Sequence, residues 1–403
     1  MGNKIAKIII VILVIVVLAI IAFYAILVLS FFGGGDFYAP FVIIVFIAIS
    51  IWLILFALRT FKRKVLWLVF LGIFLSSAIA VTIYEWRKYY VASIPTVDDQ
   101  GVNLYEYQPF KEDSKIAKLS EDATFKIQGK TPSIDGATAL YPLYAAFVQA
   151  TFPEDEYLPY TSKVTSNTTP RAYNRLINGD ADLIFCAAPS KSQVENAHSL
   201  GKEFRMTPIG KEAFVFFVNA KNPVSELSVE QIQSIYSGKI TNWKDLGGEN
   251  EDIKAFQRPK DSGSQTMLEK IMGDLPLMPP LLNDVVDEMG GIIEQTAEYK
   301  NFGNAIGYSF LFFATEMVGN NQIKLIKVNG IEPTRETIKS GTYPFVGDFY
   351  AITTDSENEN LKGFIDWILS PQGQKLVEET GYTPLIDINF KLPAQPSPRD
   401  EGR

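Results

Sequence analysis

Residues 258–264 read Arg258-Pro259-Lys260-Asp261-Ser262-Gly263-Ser264. A strand-like run at 253–257 leads into them and a helix-like run at 265–272 follows. A strand that feeds a helix through a polar turn is a unit of α/β architecture. The turn also suits an anion. A helix start leaves backbone N–H groups unpaired and carries the positive end of the helix dipole. Gly263 lets a ligand approach the backbone, Ser262 and Ser264 add hydroxyl donors, and Arg258 adds a planar fork that matches a tetrahedral oxyanion. Serine caps many helices with no ligand nearby, so the segment gains meaning only from what surrounds it.

The surroundings repeat the pattern. Strands are expected at 125–127, 182–187, 213–220, 305–310, 323–328 and 345–353. Helices are expected at 141–150, 170–178, 190–200, 228–236 and 361–381, the last broken at Ser370-Pro371. Thr169 and Pro170 open the second of these helices and Gly179 closes it. Ser228 and Gln231 form a capping box for the fourth. Strands alternating with helices predict an α/β fold with mainly parallel pairing. Two further helix starts, at 135–140 and 165–169, share the hydroxyl-rich chemistry of 261–264. In open α/β sheets ligands bind beyond the strand ends, where helices begin. Three such starts would build a cage of neutral donors.

Upstream the composition changes sharply. Residues 8–35, 37–58 and 65–84 carry no charged side chain, and each run reaches the roughly 20 apolar residues that span a bilayer. Three transmembrane helices are expected in 1–90. The first run is too long for the core of a cleaved signal peptide. Lys4 and Lys7 precede it, and Arg59, Lys62, Arg63 and Lys64 fill the second loop, so the N-terminus is expected in the cytoplasm and the chain after Tyr84 outside. Of 37 basic and 45 acidic residues, 8 and 2 fall within 1–90, which leaves 29 and 43 and a net charge of −14 beyond. An acidic exported domain argues against nucleic acid as a partner. Cys186 is the only cysteine and His198 the only histidine. No disulfide, metal or cofactor is expected, Cys186 reads as a buried thiol and His198 as a surface residue. Residues 91–124 read as an extracellular linker and 391–403, with Pro393, Pro396 and Pro398, as a disordered tail.

Several longer motifs carry a family resemblance. Asn222-Pro223-Val224 precedes 235–243, Ile-Tyr-Ser-Gly-Lys-Ile-Thr-Asn-Trp. Asn304-Ala305-Ile306-Gly307-Tyr308-Ser309, Leu369-Ser370-Pro371-Gln372-Gly373-Gln374 and Gly381-Tyr382-Thr383-Pro384-Leu385 follow. Through them, 125–387 resembles the phosphate-binding proteins of ATP-driven phosphate importers. The resemblance implies a two-lobed periplasmic-binding-protein fold, type II-like, after the three N-terminal transmembrane helices. Lobe one would hold 125–212 and 347–390 and lobe two 213–346, with crossovers near Phe214 and Val346. It implies ligand contacts at Thr138, Ala139, Thr168, Thr169, Arg258, Ser262, Gly263 and Ser264. One position departs. Better-known members have an aspartate that accepts a proton from phosphate, and Ala187 stands in its place. Asp135, Asp180 and Asp261 border the expected cage and are candidates to substitute.

The expected function is a membrane-anchored, extracellular solute-binding protein without catalysis, which captures phosphate for an importer whose permease and ATPase are separate polypeptides. No Gly-x-x-x-x-Gly-Lys-Ser/Thr loop occurs in the chain. The alternative is a phosphate or oxyanion sensor that signals to a membrane partner. A serine hydrolase is the least favoured reading, because no Gly-x-Ser-x-Gly elbow occurs and His198 lies in a different, polar helix.

Overall fold

The computed structural model describes residues 2–31, 35–58, 61–94, 102–281, 300–317 and 322–386. These fall into two compact units, one up to Ile94 and one beyond it. The first unit is three helices, α1 (Gly2–Phe31), α2 (Gly35–Leu58) and α3 (Arg63–Ser93). Ile8–Leu29, Phe37–Leu58 and Arg63–Val91 are long and apolar enough to cross a membrane. Ile9, Leu13, Phe74 and Ile83 lie exposed on their surfaces, which suits helices solvated by lipid. Trp52 ties α2 to α3 by donating to the Leu66 carbonyl at 2.7 Å. α3 continues past the apolar run that ends at residue 84 and carries Glu85, Arg87 and Lys88 on its last turns.

The second unit begins with β1 (Ile134–Gly136), α4 (Tyr141–Thr151), α5 (Thr168–Asn178), β2 (Leu183–Ala187), α6 (Lys191–Ser199) and β3 (Arg205–Asn219). It continues with β4 (Glu226–Leu227), α7 (Val229–Tyr236), β5 (Lys254–Ala255), α8 (Gly263–Met272) and β6 (Ala305–Phe310). β7 (Ile323–Leu325), β8 (Lys327–Val328), α9 (Arg335–Lys339), β9 (Val346–Thr353), α10 (Asn360–Ile368) and α11 (Pro371–Thr380) complete it. Among the described residues the main sheet runs β1-β2-β9-β3-β6-β5, with β7 also on β3, and β4 pairs with β8 apart from it.

β3 organises this unit. Its first part pairs with β9, from Arg205 opposite Thr353 to Ala213 opposite Val346. Its second part pairs with β6, from Phe214 opposite Phe310 to Val218 opposite Ile306. Residues 213–218 are apolar without a break and fully buried, as a strand covered on both faces must be. A bulge lies between Pro208 and Gly210. A Cβ on Gly210 would fall 2.3 Å from the Phe349 ring, so only glycine lets the ring lie flat on the strand. The chain buries two main cores on either side of this crossing. One gathers Tyr144, Phe147, Phe185, Phe349 and Leu376. The other gathers Phe214, Phe216, Tyr236, Trp243 and Tyr308.

The structure corrects several expectations. Pairing is not mainly parallel, since β3 runs antiparallel to β9, β6 and β7 and β2 antiparallel to β9. Long strands that cross between two cores must return, and the return reverses direction. Residues 125–127 form no strand, although Ile127 N–H bonds the Thr151 carbonyl at 2.8 Å. The stretch 102–123 is not a free stalk, because Leu104, Ile116 and Ala123 are buried in the first core. Phe312 and Phe313 fall within 213–346 yet pack into the first core as well. α5 starts at Thr168, with Asn167 rather than Thr169 at its cap. The tail 391–403 lies outside the described residues.

Asp135 holds the start of α5 against β1. It is fully buried and accepts from Gly136 N–H at 2.7 Å, Asn167 N–H at 2.9 Å and Asn167 Nδ2 at 2.8 Å. An Arg175 guanidinium nitrogen reaches it at 2.6 Å and also donates to Thr165 Oγ1 at 2.6 Å. Removing one partner of such a cluster strands the others without solvent. Asp135→Ala should therefore destabilise the second unit by about 3 kcal/mol, measured by denaturant unfolding of the full chain. A loss under about 1 kcal/mol would show that water replaces the carboxylate.

Candidate functional site

Three helix starts converge on one cavity. The first follows β1, where a 3-10 turn, Thr138–Leu140, runs into α4. The second is the start of α5 and the third the start of α8. The cavity measures about 80 Å³. From the first core's side it is lined by Thr138, Ala139, Thr168, Thr169 and Ala187. From the other side come Arg258, Ser262, Gly263 and Ser264. The structure thus brings together all eight residues that the sequence singled out, with Ala187 among them. Phe310, Phe313 and Phe349 complete the wall. Their rings exclude water and strengthen any polar contact made inside.

Local chemistry sets each donor. Ser262 caps α8 by accepting from Gln265 N–H at 3.2 Å. Its own O–H hydrogen is not used by that bond. Gly263 opens α8 where the two sides meet. A Cβ there would lie 3.4 Å from both Ala187 Cβ and Thr169 Oγ1, so a side chain would fill the space. Arg258 is half-buried, and its N–H donates to Tyr308 Oη at 2.8 Å and Gln265 Oε1 at 3.0 Å. Tyr308 also donates to Gln265 Oε1, so a buried triad fixes the backbone that carries the guanidinium. Thr168 and Asp261 both have φ of 66°. Asp tolerates the left-handed region, whereas a β-branched residue adopts it only when its surroundings hold it there. Both residues sit at helix starts beside the cavity, where such strain is commonly stored.

The acidic residues differ from expectation. Asp135 is consumed by Arg175, Asn167 and Gly136. Asp180 is exposed beyond the far end of α5 and does not line the cavity. Asp261 points away to α6. Its Oδ1 accepts from Ser190 Oγ at 2.7 Å and Ser192 Oγ at 2.5 Å, and its carbonyl accepts from Gln193 Nε2 at 3.1 Å. The carboxylates that do line the cavity are Glu212 and Asp348. Neither was singled out from the sequence. A lone acid at the head of the apolar run 213–220 was the available signal for Glu212. Cys186 is buried, and burial pushes its thiol far up, out of the reactive range.

A family model described as the PBP superfamily domain matches residues 127–372, and the chain belongs to that superfamily. It is 25% identical over 264 residues to the phosphate-binding protein PstS of Borreliella burgdorferi, covering 63% of this chain and 89% of that protein. It is 24% identical over 283 residues to PstS of Bacillus subtilis, covering 69% and 87%. Among solved structures, a putative phosphate ABC transporter substrate-binding protein with bound phosphate, from Clostridium perfringens, superposes with a TM-score of 0.47. That match has 23% identity and covers 63% of this chain and 99% of that one.

The bonds from Ser190, Ser192 and Gln193 to Asp261 join the two sides of the cavity without touching its interior. They favour the arrangement in which the helix starts face each other. Asp261→Ala removes the charged acceptor and should weaken a small anion's binding by roughly 5- to 30-fold, chiefly through faster release. Equilibrium dialysis and stopped-flow release with labelled phosphate as probe read this. Unchanged affinity and release rate would mean that the bonds do not bias closure.

Proposed function

We propose that the protein captures inorganic phosphate outside the cell for an ATP-driven importer, and that its N-terminal helices anchor it in the membrane. The observation that carries this reading is the convergence of three helix starts, their hydroxyls and Arg258 on one small, ring-lined cavity. At roughly 10–15 Å³ of such volume per water-sized group, about 80 Å³ accommodates a five-atom oxyanion. Neutral donors at helix N-termini match a dianion without a matching number of cations. The names of the relatives point the same way. His198 is exposed on α6 and does not line the cavity, so the serines there have no histidine base among its lining residues and read as donors rather than nucleophiles.

The importer's permease and ATPase would be separate chains, and the three helices offer a surface for the permease. A sensing role fits the same anchor and the same site. The basic residues at 59–64 support an orientation with the binding unit outside. Ala187 in the cavity wall, where better-known family members have an aspartate, implies that sulfate is rejected less strongly than in them.

Calorimetry of the full chain in detergent against phosphate and sulfate tests the assignment. Phosphate should bind the more tightly, and a tighter grip on sulfate would overturn it. Ala187→Asp should widen the gap between the two anions. Arg258→Ala should lower phosphate affinity by roughly 30- to several-thousand-fold, or ~2–5 kcal/mol, while the fold survives. Wild-type affinity in that variant would remove Arg258 from the site. Protease added to protoplasts should digest the binding unit, and its protection until the membrane is opened would reverse the topology.

A further inference from the structure

Glu212 lies on β3 opposite Gly347, one residue before the strand's pairing passes from β9 to β6. It is 6% exposed. One carboxyl oxygen accepts from Phe312 N–H at 2.6 Å, and no other hydrogen bond or ion pair to this carboxyl occurs among the described residues. The side chain lines the same cavity as Arg258 and Ala187. A buried acid that borders a ligand cavity and has one oxygen without a partner among the described residues can take a ligand as its partner.

Several charged groups surround it. Arg258 and Asp348 share the cavity with it. On its other side a second hollow carries Lys211, Glu316, Arg335 and Glu379, and the Tyr382 phenol feels its charge. Cations and acids are balanced, and desolvation dominates. Burial pushes the carboxyl up to about 8, with the Phe312 N–H pulling the other way.

We propose that Glu212 supplies the ligand partner that Ala187 cannot, donating to an oxyanion when protonated and accepting from one that carries a hydrogen when ionised, so that pH sets the choice between phosphate and sulfate. The inference rests on the phosphate reading above. Protonated Glu212 offers its O–H to sulfate and hydrogen phosphate alike. Ionised Glu212 has nothing to offer sulfate and repels it, whereas hydrogen phosphate turns its own O–H to the carboxylate. Above the empty-site value, sulfate binding must take up one proton and hydrogen phosphate binding need not. A bound dianion raises the carboxyl further, so sulfate affinity should fall about tenfold per pH unit from about 8 upward. Phosphate affinity should fall much less.

The test is a competition titration of sulfate against labelled phosphate with the full chain between pH 6.5 and 9.5. With phosphate counted as its hydrogen phosphate dianion, whose own ionisation falls within this range, the ratio of phosphate to sulfate affinity should be flat below about 8 and rise about tenfold per unit above it. Glu212→Gln, which cannot ionise, should keep sulfate binding at high pH and flatten the ratio. Glu212→Asp should restore a pH-dependent ratio. Ligand-free stability gives a second reading. An acid raised from 4.5 to about 8 by folding stabilises most below 4.5, and this contribution is lost as pH rises to about 8. The stability of wild type relative to Glu212→Gln should fall over that window. A flat ratio in the wild type overturns the inference even if the Gln variant fails to fold. So does a rising ratio that survives Glu212→Gln or disappears in Asp348→Asn instead. Phosphate that fails to bind at any pH overturns the phosphate reading itself, an outcome distinct from binding with a flat ratio.

Discussion

One strand belongs to two cores, and the rest of the binding unit depends on it. β3 is 15 residues long and exchanges β9 for β6 as its partner at Ala213 and Phe214. Because its second part is apolar on both faces, it must be covered on both, and the chain builds a second core around it. Because its first part pairs with β9, the chain has to return to the first core near its end. Both strands cross near the same point, and the space beside the crossing is where the helix starts meet. The cavity is therefore a consequence of how the two cores are joined.

The electrostatics of that space are unusual in one respect. Its donors are mostly neutral, and Arg258 is the cation that lines it among the described residues. Acidic side chains line it as well, although its expected occupant is an anion. A carboxylate beside an anion is tolerable only if a proton lies between them, held by one or the other. Burial of Glu212 raises its carboxyl and so favours holding such a proton. Ala187 and Glu212 then belong to one question, namely where an acceptor sits when its customary position holds a methyl group.

Local sequence chemistry was readable wherever it acts through neighbours. The capping box of Ser228 and Gln231, the Ser262 cap and the break at Ser370-Pro371 all occur as their spacing indicated. So did the apolar runs that form α1 to α3 and the core of β3. Expectations failed where a partner distant in sequence decides the outcome. Residues 102–123 looked polar and aperiodic, yet Leu104 and Ile116 find places in a core made largely by 134–185 and 349–382. Strand direction was misjudged because alternation of strands and helices says nothing about which strands cross between cores.

By itself, the sequence determined most of the element types, the three long apolar helices, and which residues can present donors at a helix start, since each depends on side chains within a turn or two. It also carried the eight residues that now face one cavity. Only the tertiary structure decided which acids join them. Asp135 and Asp261 are near in sequence to the cage and are drawn off by Arg175 and by Ser190 and Ser192. Glu212 is remote from every helix start and is delivered by the crossing of β3. A carboxylate's role depends on what surrounds it in space, through desolvation and partners, and neither is written in its neighbours along the chain.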